Sequence, residues 1–386
     1  MQWYVDEGII PMIQTCVMQG TEIIDVQNFG PLNHETGEPL TTQSIFRMYS
    51  NTKIVTSVAA MMLWEQGHFS LDDPIGKFLP AFSDMQVLNP DAKDLSDTTP
   101  ATQQIKMRHI LSHSAGLSYG FIDPESLIDS TYTSAGVNPL VVDPSLTLES
   151  LVDKLGALPL CYNPGSSWRY SLATDVTARI IEVISNQRFD DFLKSNLFEP
   201  LQMPDTDFYV PASKLDRFTS MYQPDDLFAP MASGYTLAES PETSAYNAPR
   251  AFLSGGGGLV STLEDYTNFL RMIVAGGTSQ RGQILQTETL QLMRQNQLAP
   301  DVGVSFPMWA MPDTTFGLGF ALKNQPAEGE PVEAIGEYHW GGMAGTHSWM
   351  APELNITGFC LTQRMPGFWH PFSHDFKRLV YQAATK

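Results

Sequence analysis

The sequence predicts an α+β fold: an antiparallel sheet flanked by helices and built from both ends of the chain, with a mainly helical domain inserted between. Three observations point there. Strand-like alternation opens the chain, at 12–18 and 21–28. A meander of three short strands closes it, at 337–340, 347–350 and 357–363. The middle is helical and rich in loops, and no internal repeat is visible. At 386 residues the chain is long enough for one large domain or two interleaved ones. The expected division is a sheet domain from 1–75 and 255–386, an inserted helical domain at 76–254, and an active site in the cleft between them.

The elements follow in order. The first two strands turn at Gln19-Gly20. A long apolar helix runs from Ser50 and stops at Gly67. Its core, 54–64, is the most hydrophobic stretch of the chain. A loop at 71–80 opens the middle region, whose helices are read at 107–112, 148–156, 173–185 and 189–197. Four glycines at 255–258 follow, and then the capping sequence Ser261-Thr262-Leu263-Glu264 starts a helix to about 274. The closing meander turns at Asn355. A final helix runs from His374.

Composition narrows the function classes. Apolar residues make up 42% and charged residues 17%, which describes a globular chain and not a disordered one. The net charge of −20 argues against nucleic acid or an anionic membrane as partner. No apolar run reaches the length of a membrane span. The N-terminus lacks the basic and apolar regions of a signal peptide, so a cytoplasmic location is expected. Cys16, Cys161 and Cys360 are scattered and odd in number, which implies no disulfide framework. The sequon at Asn355 reads as a tight turn.

Chemistry concentrates at Ser50-Asn51-Thr52-Lys53. In the first turn of a helix, Lys53 shares a face with Ser50 and brings an amine within reach of the hydroxyl. The helix N-terminus adds a positive potential where an alkoxide develops. This is a way to activate serine without histidine, and it is the S-x-x-K pattern. The ordinary fate of such a tetrad is a serine cap followed by a surface lysine. Against that, it is the only S-x-x-K in the chain and it opens the most apolar helix.

A serine–lysine pair needs a second proton carrier and an oxyanion site. Tyr170 lies in the segment 163–172 (NPGSSWRYSL), just ahead of a helix, where a phenol can point into a cleft. Lys53 and Arg169 are the cations expected to lower its pKa. A packed aromatic is the commoner role for tyrosine. His339-Trp340-Gly341-Gly342-Met343 supplies the third piece. Its glycines let a strand edge approach a substrate, although a plain β-bulge or strand end is the favoured reading of the segment in isolation.

Ser50-x-x-Lys53, Tyr170-Ser171-Leu172 and Trp340-Gly341-Gly342, taken together, resemble the family VIII carboxylesterases. These are serine esterases with the fold of class C β-lactamases and penicillin-binding proteins. Flanking segments agree, in order and over nearly the whole chain: 71–74 (LDDP), 109–117 (HILSHSAGL), Pro164-Gly165, 254–258 (SGGGG), 316–320 (FGLGF) and 361–366 (LTQRMP). One departure is the short stretch before Glu7-Gly8, which implies weaker packing against the C-terminal helix. The resemblance implies that Ser50 is acylated and that Lys53 and Tyr170 share the proton traffic, with Tyr170 favoured as base. It implies an oxyanion hole from the amides of Ser50 and Met343, and a substrate wall at Trp340 with Gly341, Gly342 and His339. No cofactor and no metal are expected.

Other motifs are weighed against this reading. Gly116-Leu117-Ser118-Tyr119-Gly120 is a formal G-x-S-x-G, but a helix precedes it and a loop follows, the reverse of a nucleophile elbow. His109 and His113 stand four apart, yet Ile110 holds the place a zincin gives to glutamate. Tyr266-Thr267-Asn268 fits the Y-x-N form of class C β-lactamases, but Tyr266 sits in an amphipathic helix and reads as a surface residue. The glycines at 255–258 lack the Lys-Ser or Lys-Thr of a phosphate loop. They read as close packing near the cleft. The expected activity is hydrolysis of small neutral short-chain esters. A class C-like β-lactamase or D,D-peptidase is the alternative, and a non-catalytic penicillin-recognising module is a third. Trp340 stands where β-lactamases carry the lysine of Lys-Thr-Gly, which favours esters.

Overall fold

The computed structural model describes every residue except 140–144, 308 and 369. Its main sheet has seven antiparallel strands, and both ends of the chain supply them. The N-terminal hairpin is β1 (Ile13–Gln19) and β2 (Glu22–Phe29). From Gln14 onward β1 pairs with a strand some 340 residues later, Gln14 opposite Leu361 and Gln19 opposite Ile356. Such a long-range pairing pins the two ends of the chain together.

Four helices matter for the site. α1 (Thr52–Glu65) is buried on every side from Thr52 to Leu63, as an apolar run with no polar face demands. It packs on α2 (Ala173–Ser185). α3 (Leu263–Val274) begins with Thr262 as N-cap, its hydroxyl accepting from the Asp265 amide at 3.0 Å. The remaining sheet strands are β3 (Thr314–Phe316), β4 (Ala321–Lys323), β5 (Tyr338–Gly342), β6 (Thr346–Ala351) and β7 (Ile356–Leu361). The sheet order is β3-β4-β5-β6-β7-β1-β2. α4 (Phe372–Ala384) closes the chain. One large apolar core joins α1, α2, α3 and one face of the sheet. A smaller one fills the space between the other face and α4.

Two local features position the site. The strand Ile45–Arg47 pairs with Val260–Thr262, so the turn carrying Ser50 and the chain leaving the four glycines run side by side. β4 pairs with β5 only at Tyr338 and His339. From Trp340 onward β5 is paired in the sheet on its β6 side alone.

Several expectations change in detail. The helix read at 189–197 ends at Leu193 and continues as a π turn, Lys194–Phe198. The helix Met107–Leu111 ends before His113, which sits at φ +56°, so His109 and His113 share no helical face. The short N-terminal helix Gln2–Asp6 does engage α4. The Tyr4 hydroxyl donates to Asp375 at 2.5 Å, and its ring meets Phe372 edge-on. Asn355 is left-handed, and its amide donates to the Pro352 carbonyl at 3.0 Å, closing a tight turn, while its own carbonyl accepts from the Gly20 amide of the first hairpin. Among the described residues no helix is long and apolar enough to cross a membrane.

Candidate active site

Ser50 sits in a single 3₁₀ turn, Tyr49–Asn51, that runs straight into α1. Tyr49 before it is held at φ +44°, a region non-glycine residues seldom adopt. The turn is anchored from two sides. Asn51 donates to Thr346 at 2.9 Å and accepts from Ser348 at 2.8 Å, both on β6. Its carbonyl accepts from the Tyr266 hydroxyl at 3.0 Å. Gly342 lies directly against this turn. A Cβ there would run into the Met48 carbonyl and the Thr346 hydroxyl. The glycine therefore lets the strand approach Met48 and Tyr49, immediately before Ser50, where the sequence suggested an approach to substrate.

Three side chains converge on one oxygen. Lys53 Nζ lies 3.2 Å from Ser50 Oγ, and the Tyr170 hydroxyl donates to the same oxygen at 2.6 Å. Trp340 Nε1 donates to the Tyr170 oxygen at 3.2 Å. Lys53 is buried and also donates to the Gly256 carbonyl at 2.6 Å. Its ammonium stands 4.6 Å from the Tyr170 ring centre and 5.0 Å from that of Tyr119. Burial lowers its pKa to about 7, against a raising pull from buried Asp175. The amine is thus close to half neutral at physiological pH.

Tyr170 behaves otherwise than expected. Burial pushes its phenol above the ordinary tyrosine value, and its hydrogen bonds with Ser50 and Trp340 only offset part of this. Arg169 does not help it. Its guanidinium pairs with buried Asp129 at 3.0 Å and donates to Ser118 Oγ at 2.7 Å. The backbone explains the divergence. The Arg169 amide donates to the His113 carbonyl and the Leu172 amide to that of Ser118, fixing the segment along the 113–118 loop. Tyr170 is packed among Tyr119, His113, Phe306 and Trp340, with ring centres 5.0–5.4 Å away.

Other candidates fall into place around this centre. Met343 lines the same small cavity as Ser50, about 80 Å³ in volume, with Tyr119, Gly256 and Gly257. Gly341 and His339 are on the opposite side of β5 from Trp340. His339 stands 3.4 Å from His347 and near Glu337, and burial lowers its pKa to about 3. It is neutral through the physiological range and supplies no cation beside Ser50. Ser118 is buried and bonded to Asp129, inaccessible as a nucleophile. Among the described residues no cluster suits a metal ion.

Two residues escaped the sequence reading. Tyr266, read as a surface residue, is buried beneath Asn51. Asp175, in the first turn of α2, accepts from Ser254 at 2.6 Å and from the Gly256 amide at 3.1 Å. It thereby orients the peptide whose carbonyl holds Lys53. The only sequence signal for it was a position five residues after Tyr170.

Comparison with known proteins agrees with this architecture. The beta-lactamase family model matches residues 2–382. An uncharacterized protein of Mycobacterium tuberculosis is 30% identical over 370 residues, covering 94% of this chain and 88% of its own. Esterase EstB of Burkholderia gladioli is 27% identical over 351 residues, 88% of this chain and 83% of its own. The structure of EstCE1, described as a hydrolase with promiscuous acyltransferase activity, superposes with a TM-score of 0.81 at 26% identity, covering 98% of this chain and 96% of that one. From residue 2 to residue 382, then, the chain belongs to the beta-lactamase family, and it is similar to esterases of that fold.

Proposed function

We propose that the protein hydrolyses short-chain carboxylic esters through an acyl-enzyme on Ser50. The observation that carries this reading is the convergence of Lys53 Nζ and the Tyr170 hydroxyl on Ser50 Oγ. Tyr170 donates to that oxygen, which leaves the serine's own hydrogen to point at Lys53. Neutral Lys53 takes this proton as Ser50 Oγ bonds to the ester carbonyl carbon. The oxyanion is received by the amides of Ser50 and Met343. The carbonyl then re-forms and the C–O bond to the alcohol breaks. Tyr170 gives its proton to the departing alkoxide and is refilled from the Lys53 ammonium. Water repeats the sequence on the acyl-enzyme, releasing the acid and restoring Ser50. With the Lys53 pKa near 7 and that of Tyr170 raised, Lys53 is the better first base.

Trp340 supports an ester over a β-lactam. A lysine in its place would hold a drug's carboxylate by a charge-assisted bond of about 1.5–3 kcal/mol. An indole offers apolar area and one N–H, and that N–H is engaged by Tyr170. Neutral His339 offers no substitute. The test is kcat/KM on p-nitrophenyl butyrate against nitrocefin with one preparation. A higher value for the ester is expected. A higher value for nitrocefin would move the assignment to β-lactamase.

A further inference from the structure

The cavity beside Ser50 contains a cation that the reaction does not use. Arg250 lines it together with Ser50, Tyr119, Phe121 and Met343. The guanidinium lies over the Tyr246 ring, 4.8 Å from its centre. That ring is itself fixed: its hydroxyl donates to the Gly257 carbonyl at 3.2 Å and its backbone carbonyl accepts from Val210. Arg250 is only partly exposed, yet among the described residues no carboxylate pairs with it. This happens in a chain with 42 acidic and 22 basic side chains, where a partner is easily found. Seven of the other arginines have one. A cation stacked on a pinned ring, facing a cavity and with no carboxylate partner among the described residues, is suited to receive an anion.

The position of the cavity says which part of the ester enters it. On the reading of Ser50, Lys53 and Tyr170 given above, the alcohol departs toward Tyr170. Tyr170 stands beside Trp340, and neither lines this cavity. The cavity therefore takes the acyl side. We propose that Arg250 selects esters whose acyl chain ends in a carboxylate, the half-esters of short dicarboxylic acids, with the guanidinium holding the terminal carboxylate. The alcohol side stays apolar, in keeping with Trp340. The net charge of −20 opposes approach of such an anion at long range, so the comparison is made near physiological salt, where that field is screened beyond about 8 Å.

The test compares mono-p-nitrophenyl glutarate with p-nitrophenyl pentanoate, which share a five-carbon acyl chain and differ in the terminal carboxylate. The readout is the ratio of kcat/KM for the two within each enzyme, which cancels effects on folding or on the nucleophile. The wild type is expected to favour the half-ester. Arg250→Gln should lower the ratio about tenfold or more, the value of a charge-assisted bond. Arg250→Lys should restore part of it, and Arg250→Glu should lower it further than Gln. Equal ratios in wild type and Arg250→Gln would overturn the inference while leaving the esterase reading intact. A wild type inactive on both esters would instead sink that reading first.

Discussion

Lys53 is a lysine with almost no water around it, and its chemistry follows from that. Its pKa near 7 is set by burial and moderated by Asp175. If the neutral amine is the working base, kcat/KM on a neutral ester rises about tenfold per pH unit below 7 and levels off above it. The sign is that of a group active when deprotonated: activity is lost as pH falls through the folded pKa. A profile flat from pH 5.5 to 8 would remove Lys53 from that role. Asp175→Asn removes the negative charge that supports the ammonium. The midpoint should then move to lower pH, with little change in the plateau if the Gly256 contact survives. Tyr170→Phe deletes one hydroxyl from a packed ring cluster, so the fold should survive while kcat falls roughly 10²-fold or more. The expectation that Arg169 would lower the Tyr170 pKa does not hold, for a physical reason. Adjacent residues in an extended segment point apart, and Arg169 faces Asp129.

The elements carry Ser50 by contact with its backbone. Gly342 on β5 touches Met48 and Tyr49, and Tyr266 on α3 holds Asn51. Gly342→Ala should destabilise the protein by about 1–3 kcal/mol and lower kcat, because the added methyl pushes on the turn that carries Ser50. Thermal unfolding and ester turnover on the same sample check this. A variant as stable and active as the wild type would show that the strand can yield without moving Ser50. Much of this level was legible in the sequence. Apolar patterning and capping residues located α1, α2, α3 and the closing meander to within about two residues, α1 as an unbroken apolar run and the others by the period of their apolar spacing. The triad stood out because Ser50 and Lys53 are local. Tyr266 did not, since amphipathic spacing distinguishes a helix's inner face only when both sides of the helix are known, and α3 is covered by β1 and β7. Asp175 and Arg250 were invisible for a related reason. Their meaning depends on the glycine run at 255–258, some 80 residues from one and folded back from the other.

At the scale of the whole molecule, the sheet joins its two ends and brings residues from 50, 170, 256 and 340 to one point. The two histidines of the 109–117 segment and the buried Ser118 belong to the packing around that point, and the rival nucleophile motif is one of its supports. Ser118→Ala should cost about 1–3 kcal/mol through the bonds left unmade at Asp129 and Arg169, yet still turn over ester. The central claim is that Ser50 forms the acyl-enzyme. The most direct measurement is labelling of the intact protein with a fluorophosphonate probe, followed by peptide mass mapping. One adduct on the peptide containing Ser50 is predicted, absent from Ser50→Ala, which should also lose at least about 10³-fold in ester turnover while remaining folded. An adduct on the peptide containing Ser118, or full ester turnover by Ser50→Ala, would contradict the account.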